Sequence, residues 1–239
     1  MFLYYLAAIG SPQIETKTQI LLDNLHCIFN QLNVSFDIMI NCYDDTNESL
    51  ETTLKTLPFL KNIYIHKKIG RLVELWKSNP DHIYLQKYQY ILFILDDVKI
   101  EKLNLLELVS IKRIYQIDFL SPKVIGGTWD YMNNQPSNTL AFANSVEIFC
   151  LLLTPRDFSK FMNINDVENS YTWGVDLLLG HFKIKSAICY TNSVIHSLPS
   201  SMDRGEAGEQ MGIYIRKHGY KTVDEIREKY PPIYKVITL

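Results

Sequence analysis

The chain has 239 residues, of which 47% are apolar and 12% aromatic, and carries a formal net charge of -2. Such a composition excludes a disordered or fibrous chain and fits one large core, while the near-neutral balance gives no electrostatic reason to expect nucleic acid or an anionic membrane surface as partner. The four cysteines, Cys27, Cys42, Cys150 and Cys189, are widely spaced and sit mostly in apolar runs, which reads as reduced core thiols and not as a disulfide frame or a zinc site.

The first stretch, Met1 to Gly10, has the hydrophobicity of a short signal segment but no basic residue ahead of it, and its length suits a buried strand from Phe2 to Ile9. Gly10-Ser11-Pro12 then makes a turn that lets the backbone come close to a ligand. From Thr16 to Leu32 the apolar positions Ile20, Leu21, Leu25, Ile28, Phe29 and Leu32 recur at helical spacing. Phe36 to Tyr43 alternates into a second strand that ends on Asp44-Asp45, and Asn62 to His66 is a short third strand. Lys67, Lys68, Gly70 and Arg71 lead from it into a helix through Leu72, Leu75 and Trp76. The sequons Asn33-Val34-Ser35 and Asn47-Glu48-Ser49 are common by chance and do not argue for secretion.

The next segment, Tyr90 to Leu95, is an uninterrupted apolar run, as expected of a strand buried on both faces of a sheet, and it stops on Asp96-Asp97. Ligands of open α/β sheets bind outside the carboxyl ends of the strands, so this acidic pair stands where ligand chemistry is expected. Side chains alternate along a strand, so both carboxylates can aim at one ion only if the chain turns there; a hard divalent cation would be the natural occupant.

Beyond it, Leu103 to Ile114 has a helical pattern, Gln116 to Pro122 reads as an edge strand, and Gly126 to Asn144 reads as a long loop, of a length that is usually functional or mobile. Ser145 to Leu153 is expected to be a buried strand with one charge, Glu147, which is either paired in the core or faces a ligand. A short helix begins at Asp157. Another begins at Tyr171, with Trp173 and Asp176 in a first turn where the helix dipole favours an acid. Ile184 to Tyr190 and Val194 to His196 form a last strand or two. The tail, 201–239, has two helical patterns, Glu209 to Lys217 and Val223 to Tyr230, closed by Pro231-Pro232, and reads as an appendage or lid on a domain of residues 1–200.

The rhythm of strands separated by helices predicts an α/β fold with a mostly parallel central sheet flanked by helices. No phosphate loop or GxGxxG fingerprint follows the first strand, which argues against P-loop and classical dinucleotide folds. No run is long enough to span a bilayer, so a soluble, cytoplasmic protein is expected. The richness in Ile, Asn, Lys and Tyr hints at an AT-rich microbial or viral genome; for a viral protein the location would be the host cytoplasm.

Several stretches together carry a resemblance: Phe36-Asp37-Ile38-Met39 with Tyr43-Asp44, Tyr88 to Phe93 with Asp96-Asp97, Val146-Glu147-Ile148, Trp173-Gly174-Val175-Asp176 and Val194-Ile195-His196. Their order and spacing resemble a glycosyltransferase-like family, long catalogued as a domain of unknown function, that is similar to the GT-A class of nucleotide-sugar transferases. The similarity covers roughly residues 1 to 200. The family's acidic triplet corresponds to Leu95, Asp96 and Asp97, with Leu95 in place of the first acid. The resemblance implies an Mn²⁺ or Mg²⁺ ion held by Asp97, Asp96 and His196, the imidazole favouring Mn²⁺. It implies a UDP-sugar donor whose base and ribose are cradled by Ala8, Gly10, Ser11 and Asp44, with Asp96 also among the donor-binding residues and Lys67, Lys68 or Arg71 reaching the phosphates or nucleobase. Asp176 would be the base of an inverting transfer to a glycan or other hydroxyl acceptor, Trp173 would stack on a sugar, and Glu147 would bind a hydroxyl. Two other readings stay open: a non-catalytic nucleotide-sugar or glycan-binding module, motivated by Leu95, and a phosphotransferase or nucleotidyltransferase, which would want more acids around two metals.

Overall fold

The computed structural model describes residues 1–44, 48–129, 134–198 and 203–239. Asp45 and Asn47, named above, part of the expected loop at 130–133, and the link between the expected domain and its tail at 199–202 lie outside them.

The chain opens with β1 (Phe2–Ile9), α1 (Ile14–Leu32), β2 (Phe36–Cys42), α2 (Glu48–Lys55), β3 (Leu60–Lys67) and α3 (Leu72–Lys77), followed by a 3₁₀ segment over Pro80–Lys87. Next come β4 (Tyr90–Ile94), β5 (Val98–Lys102), α4 (Leu105–Tyr115), β6 (Phe119–Ile125), β7 (Thr139–Ala143), β8 (Cys150–Leu153), α5 (Pro155–Ile164) and β9 (Ser186–His196). The chain closes with α6 (Arg204–Lys217), α7 (Val223–Lys229) and β10 (Ile233–Thr238).

The ten strands of the described residues join one sheet in the order β10-β7-β9-β6-β8-β4-β1-β2-β3, with β5 paired to β9. The sheet is mixed and not mostly parallel. β3, β2, β1 and β4 run parallel, but β8 sits antiparallel between β4 and β6, and β7 and β10 add antiparallel pairings beyond β9. The difference arises after β5, where β8 and β7 enter the sheet against the direction of the strands they pair with, β8 beside β4 and β6 and β7 beside β9.

Other expectations change with it. The segment expected at a sheet edge is β6, an inner strand between β9 and β8. The long loop contains β7. Only Cys150–Leu153 of the run from Ser145 is strand, because Glu147 turns its carboxylate to the backbone N–H groups of Thr128 and Trp129, and the chain there follows that contact instead of a ladder. The element at Tyr171 is a set of turns with a 3₁₀ turn over Asp176–Leu178.

β4 shows how the sheet divides the core. Leu92 and Ile94 pack with Leu21, Leu25 and Ile28 of α1 on one face, whereas Ile91 and Phe93 pack with Trp76, Phe158 and Phe161 on the other. The period of two along a strand requires this split. A third cluster joins Val175, Leu177 and Leu178 to Tyr214 and Ile215 of α6 and Ile226 of α7, so both tail helices are packed down. Among the described residues no helix is long and apolar enough to cross a membrane.

Candidate active site

The carboxyl ends of β1, β2 and β4 face a cavity of about 460 Å³ lined by Ala8, Ser11, Lys17, Tyr43, Leu95, Asp96 and Asp97 on one side and by Arg71, Tyr171 and Asp203 among the others. The turn after β1 is built for closeness. A Cβ on Gly10 would lie 2.5 Å from the Tyr43 ring and 2.7 Å from Asp44 Oδ2, so no larger residue fits there. Ser11 donates to Asp44 Oδ2 from its backbone N–H and its hydroxyl, both at 2.7 Å, and Tyr43 donates its hydroxyl to Ser11 O at 2.8 Å. Ala8 and Ser11 thus line the cavity, while Gly10 and Asp44 brace its wall.

After β4 the chain leaves strand geometry at Leu95, turns through Asp96 and Asp97, and returns as β5. Asp96 Oδ2 lies 2.9 Å from the ammonium of Lys17, and burial pushes its carboxyl up to about 6 despite that cation. Asp97 Oδ2 lies 2.9 Å from His196 Nε2, and the ring's Nδ1 is 3.2 Å from Gly126 O. The hydrogen bond to Asp97 holds the His196 pKa above its ordinary value. The other oxygen, Asp97 Oδ1, is buried and has no hydrogen-bond partner among the described residues. A buried carboxylate oxygen without a donor is costly, so this atom asks for a ligand.

A second acidic group lies behind the segment that follows β6. Glu147 accepts from the N–H of Thr128 and, at 3.2 Å, from that of Trp129; a Cβ on Gly127 would lie 2.1 Å from Glu147 Oε2. Burial pushes Glu147 up to about 7. The indole of Trp129 donates to Asp176 Oδ2 at 2.7 Å, and burial also raises Asp176. Residues 126–129 therefore connect both groups, touching His196 at one end and Glu147 and Asp176 at the other.

Arg71 reaches the cavity from the start of α3. Its guanidinium pairs with Glu206 of α6, lies 4.9 Å from the centre of the Tyr171 ring, and Tyr171 donates to the same Glu206 at 2.9 Å. Lys67 and Lys68 are exposed and do not line the cavity. Trp173 is half-buried, also away from the cavity wall. No group of three or more His, Cys, Asp or Glu side chains is arranged to hold a metal ion among the described residues.

Sequence reasoning overlooked Lys17 and Trp129. Lys17 had a signal: it falls one turn before Leu21 on the stripe that carries Leu25 and Ile28, and it is buried with them. Trp129 had none beyond following the glycine pair of a loop.

No protein-family model and no curated protein sequence matches the chain. Solved structures do. GalNAc-T7 with UDP, GalNAc and Mn²⁺ superposes with a TM-score of 0.60 at 8% identity, over 84% of this chain and 44% of that one. Residues 1–349 of S. aureus TarS match with a TM-score of 0.56 at 12% identity in complex with UDP-GlcNAc, over 95% of this chain and 70% of that one. The complex of the same fragment with UDP gives 0.54 at 11% identity, over 91% and 72%. The chain spans less than half the length of GalNAc-T7. At these identities the likeness is one of fold, and that fold is GT-A-like.

Proposed function

We propose that this chain is a glycosyltransferase that moves a sugar from a UDP-sugar to an acceptor hydroxyl with inversion, within the glycosyltransferase-like family that its motifs resemble. The observation that carries the reading is the cavity at the carboxyl ends of β1, β2 and β4, walled by Asp96, Asp97 and Arg71 on a fold shared with proteins solved with UDP or UDP-GlcNAc.

The donor's base and ribose would rest against Ala8, Ser11 and Asp96, over the brace that Gly10 and Asp44 form. Its diphosphate would draw Arg71 away from Glu206, because a guanidinium matches phosphate oxygens in bidentate fashion. Lys68, exposed beside the mouth, would contribute only general positive charge. A divalent cation fits one part of the donor set: Asp97, with its unpaired Oδ1, and His196 would hold it, the remaining ligands being oxygens from solvent and substrate. Bound there, Mn²⁺ or Mg²⁺ would compensate the charge that develops on the departing diphosphate.

In the transfer, the acceptor oxygen forms a bond to the anomeric carbon while the bond from that carbon to the diphosphate oxygen breaks and its electron pair leaves with UDP. The acceptor proton passes to Asp176, whose raised pKa suits a base that must later release it. Trp129 keeps that carboxylate oriented through its indole N–H. Glu147 would bind a sugar hydroxyl and Trp173 would offer its ring to the acceptor.

Calorimetric titration of UDP with Mn²⁺ into the parent and an Asp176→Asn variant tests this: binding in both, with turnover only in the parent, is the expected result. The non-catalytic module is the second reading, favoured by Leu95 and by the pairing of Asp96 with Lys17; binding without turnover in the parent would establish it.

A further inference from the structure

Helix α7 touches both ends of the hydrogen bond that orients Asp176, and it does so with two consecutive residues. Ile226, 1% exposed, packs with Val175, Leu177 and Leu178, the turn that carries Asp176. Arg227 lays its guanidinium over the Trp129 ring, 4.9 Å from the ring centre, and the indole N–H of that ring donates to Asp176 Oδ2 at 2.7 Å. The helix is itself held at its far end. Asn144 donates its side-chain N–H to Pro231 O and its backbone N–H to Pro232 O, each at 2.8 Å, and Tyr230 lies so close to Gly180 that a Cβ there would come within 2.9 Å of the ring.

Trp129 follows Gly126 and Gly127 on the segment after β6, and its backbone N–H goes to Glu147. An indole turns about two side-chain torsions, so a bond made by its far edge depends on what fixes the plane of the ring. The ring packs on apolar residues of the Trp76 face of the sheet and of the third cluster. A cation over the face adds a directional contact, because the attraction requires it to stay above the ring and within about 6 Å of the centre. The effect reaches the acid: burial raises the Asp176 carboxyl, and the indole N–H works against that rise. We propose that Arg227 is a positioning residue for Asp176, its guanidinium fixing the plane of Trp129 so that the indole N–H holds the carboxylate in one orientation. The C-terminal segment thereby sets the geometry of the acid. The effect on transfer rests on the proposed function; the coupling of Arg227 to the Asp176 bond through Trp129 does not.

The test uses the full chain labelled with ¹⁵N, in which Trp76, Trp129 and Trp173 each give one indole N–H signal. Trp129→Phe identifies the Trp129 signal, and Asp176→Ala shows where it lies without its acceptor. Arg227→Leu should move that signal most of the way to the Asp176→Ala position, while the signal of Trp76, whose N–H is bound to Ala7 O in the core, stays in place. Arg227→Lys, which keeps a cation beside the ring, should lie nearer the parent. With a UDP-sugar that turns over, Arg227→Leu should lower kcat about 10- to 100-fold with the KM for the donor unchanged. An unmoved Trp129 signal in Arg227→Leu, a shift of all three signals together, or a lysine variant no nearer the parent than the leucine one overturns the proposal, and a moved signal with unchanged kcat overturns the role in transfer. Should Arg227→Leu fail to fold, Arg227→Gln is read by the same criteria. If no donor turns over in the parent, the glycosyltransferase reading falls, and the indole signals still decide the coupling.

Discussion

Glu147 carries the most telling titration in the molecule. Its carboxyl is raised from 4.5 to about 7, chiefly by burial, so the folded chain favours the protonated form. Below the unfolded value both states hold the proton and nothing is lost. As pH rises from there through 7 the unfolded chain releases its proton more easily than the folded one, and stability falls by up to ~3 kcal/mol. Glu147→Gln removes that penalty, so its gain in melting temperature over the parent should be larger at pH 8 than at pH 5; equal gains at both would contradict the assignment. Asp176 is tested by kinetics. If it is the base, Asp176→Asn should lower kcat by about 10² to 10⁴ with UDP affinity unchanged, and a variant that keeps kcat removes Asp176 from the chemistry. Both acids were evident in the sequence by type and position. Trp129, which joins them, was not, because nothing in its neighbours announces an indole N–H aimed at a carboxylate from a distant segment.

At the scale of elements, β4 is the girder under the acidic turn. Phe93 is fully buried and meets Tyr5, Trp76 and Phe161 with ring centres 5.7, 5.3 and 5.0 Å away. Phe93→Ala should cost about 3 to 5 kcal/mol in denaturant unfolding, whereas Tyr234→Ala on the exposed strand β10 should cost under about 0.5 kcal/mol; similar losses would mean that the core is misplaced. Helix α6 offers a functional counterpart. Glu206→Gln frees Arg71 without touching the cavity wall behind it, and UDP binding should tighten a few-fold; unchanged affinity would show that Arg71 does not meet the diphosphate. β1 and β4 were legible because burial on both faces writes a continuous apolar run, and β2 by the alternation that Asp37 and Asn41 introduce into its apolar residues. β5 was not separated from β4, since its short alternation begins one residue after the carboxylates that mark the turn. β7 and β10 escaped notice for another reason: each is a short strand, the first set inside a polar stretch and the second following two prolines, and each joins the sheet through distant partners, β7 through β9 and β10 through β7.

Over the whole molecule, the sequence conveyed an α/β layering and the gathering of polar groups at strand ends, but not the mixed sheet. Handedness and order of pairing depend on how connections without helices fold back, and residue pattern does not encode that. The tail likewise read as two helices, whereas its last strand extends the same sheet and its helices pack on Val175–Leu178 beside Asp176. The fold thus brings the cavity and the second acidic group into one unit, with residues 126–129 as the connection. The most direct test is incubation of the parent protein with a panel of UDP-sugars and Mn²⁺, following UDP release and transfer. The account predicts Mn²⁺-stimulated release from at least one donor, abolished by Asp97→Asn. Absence of turnover across the panel together with no UDP-induced thermal shift would contradict it.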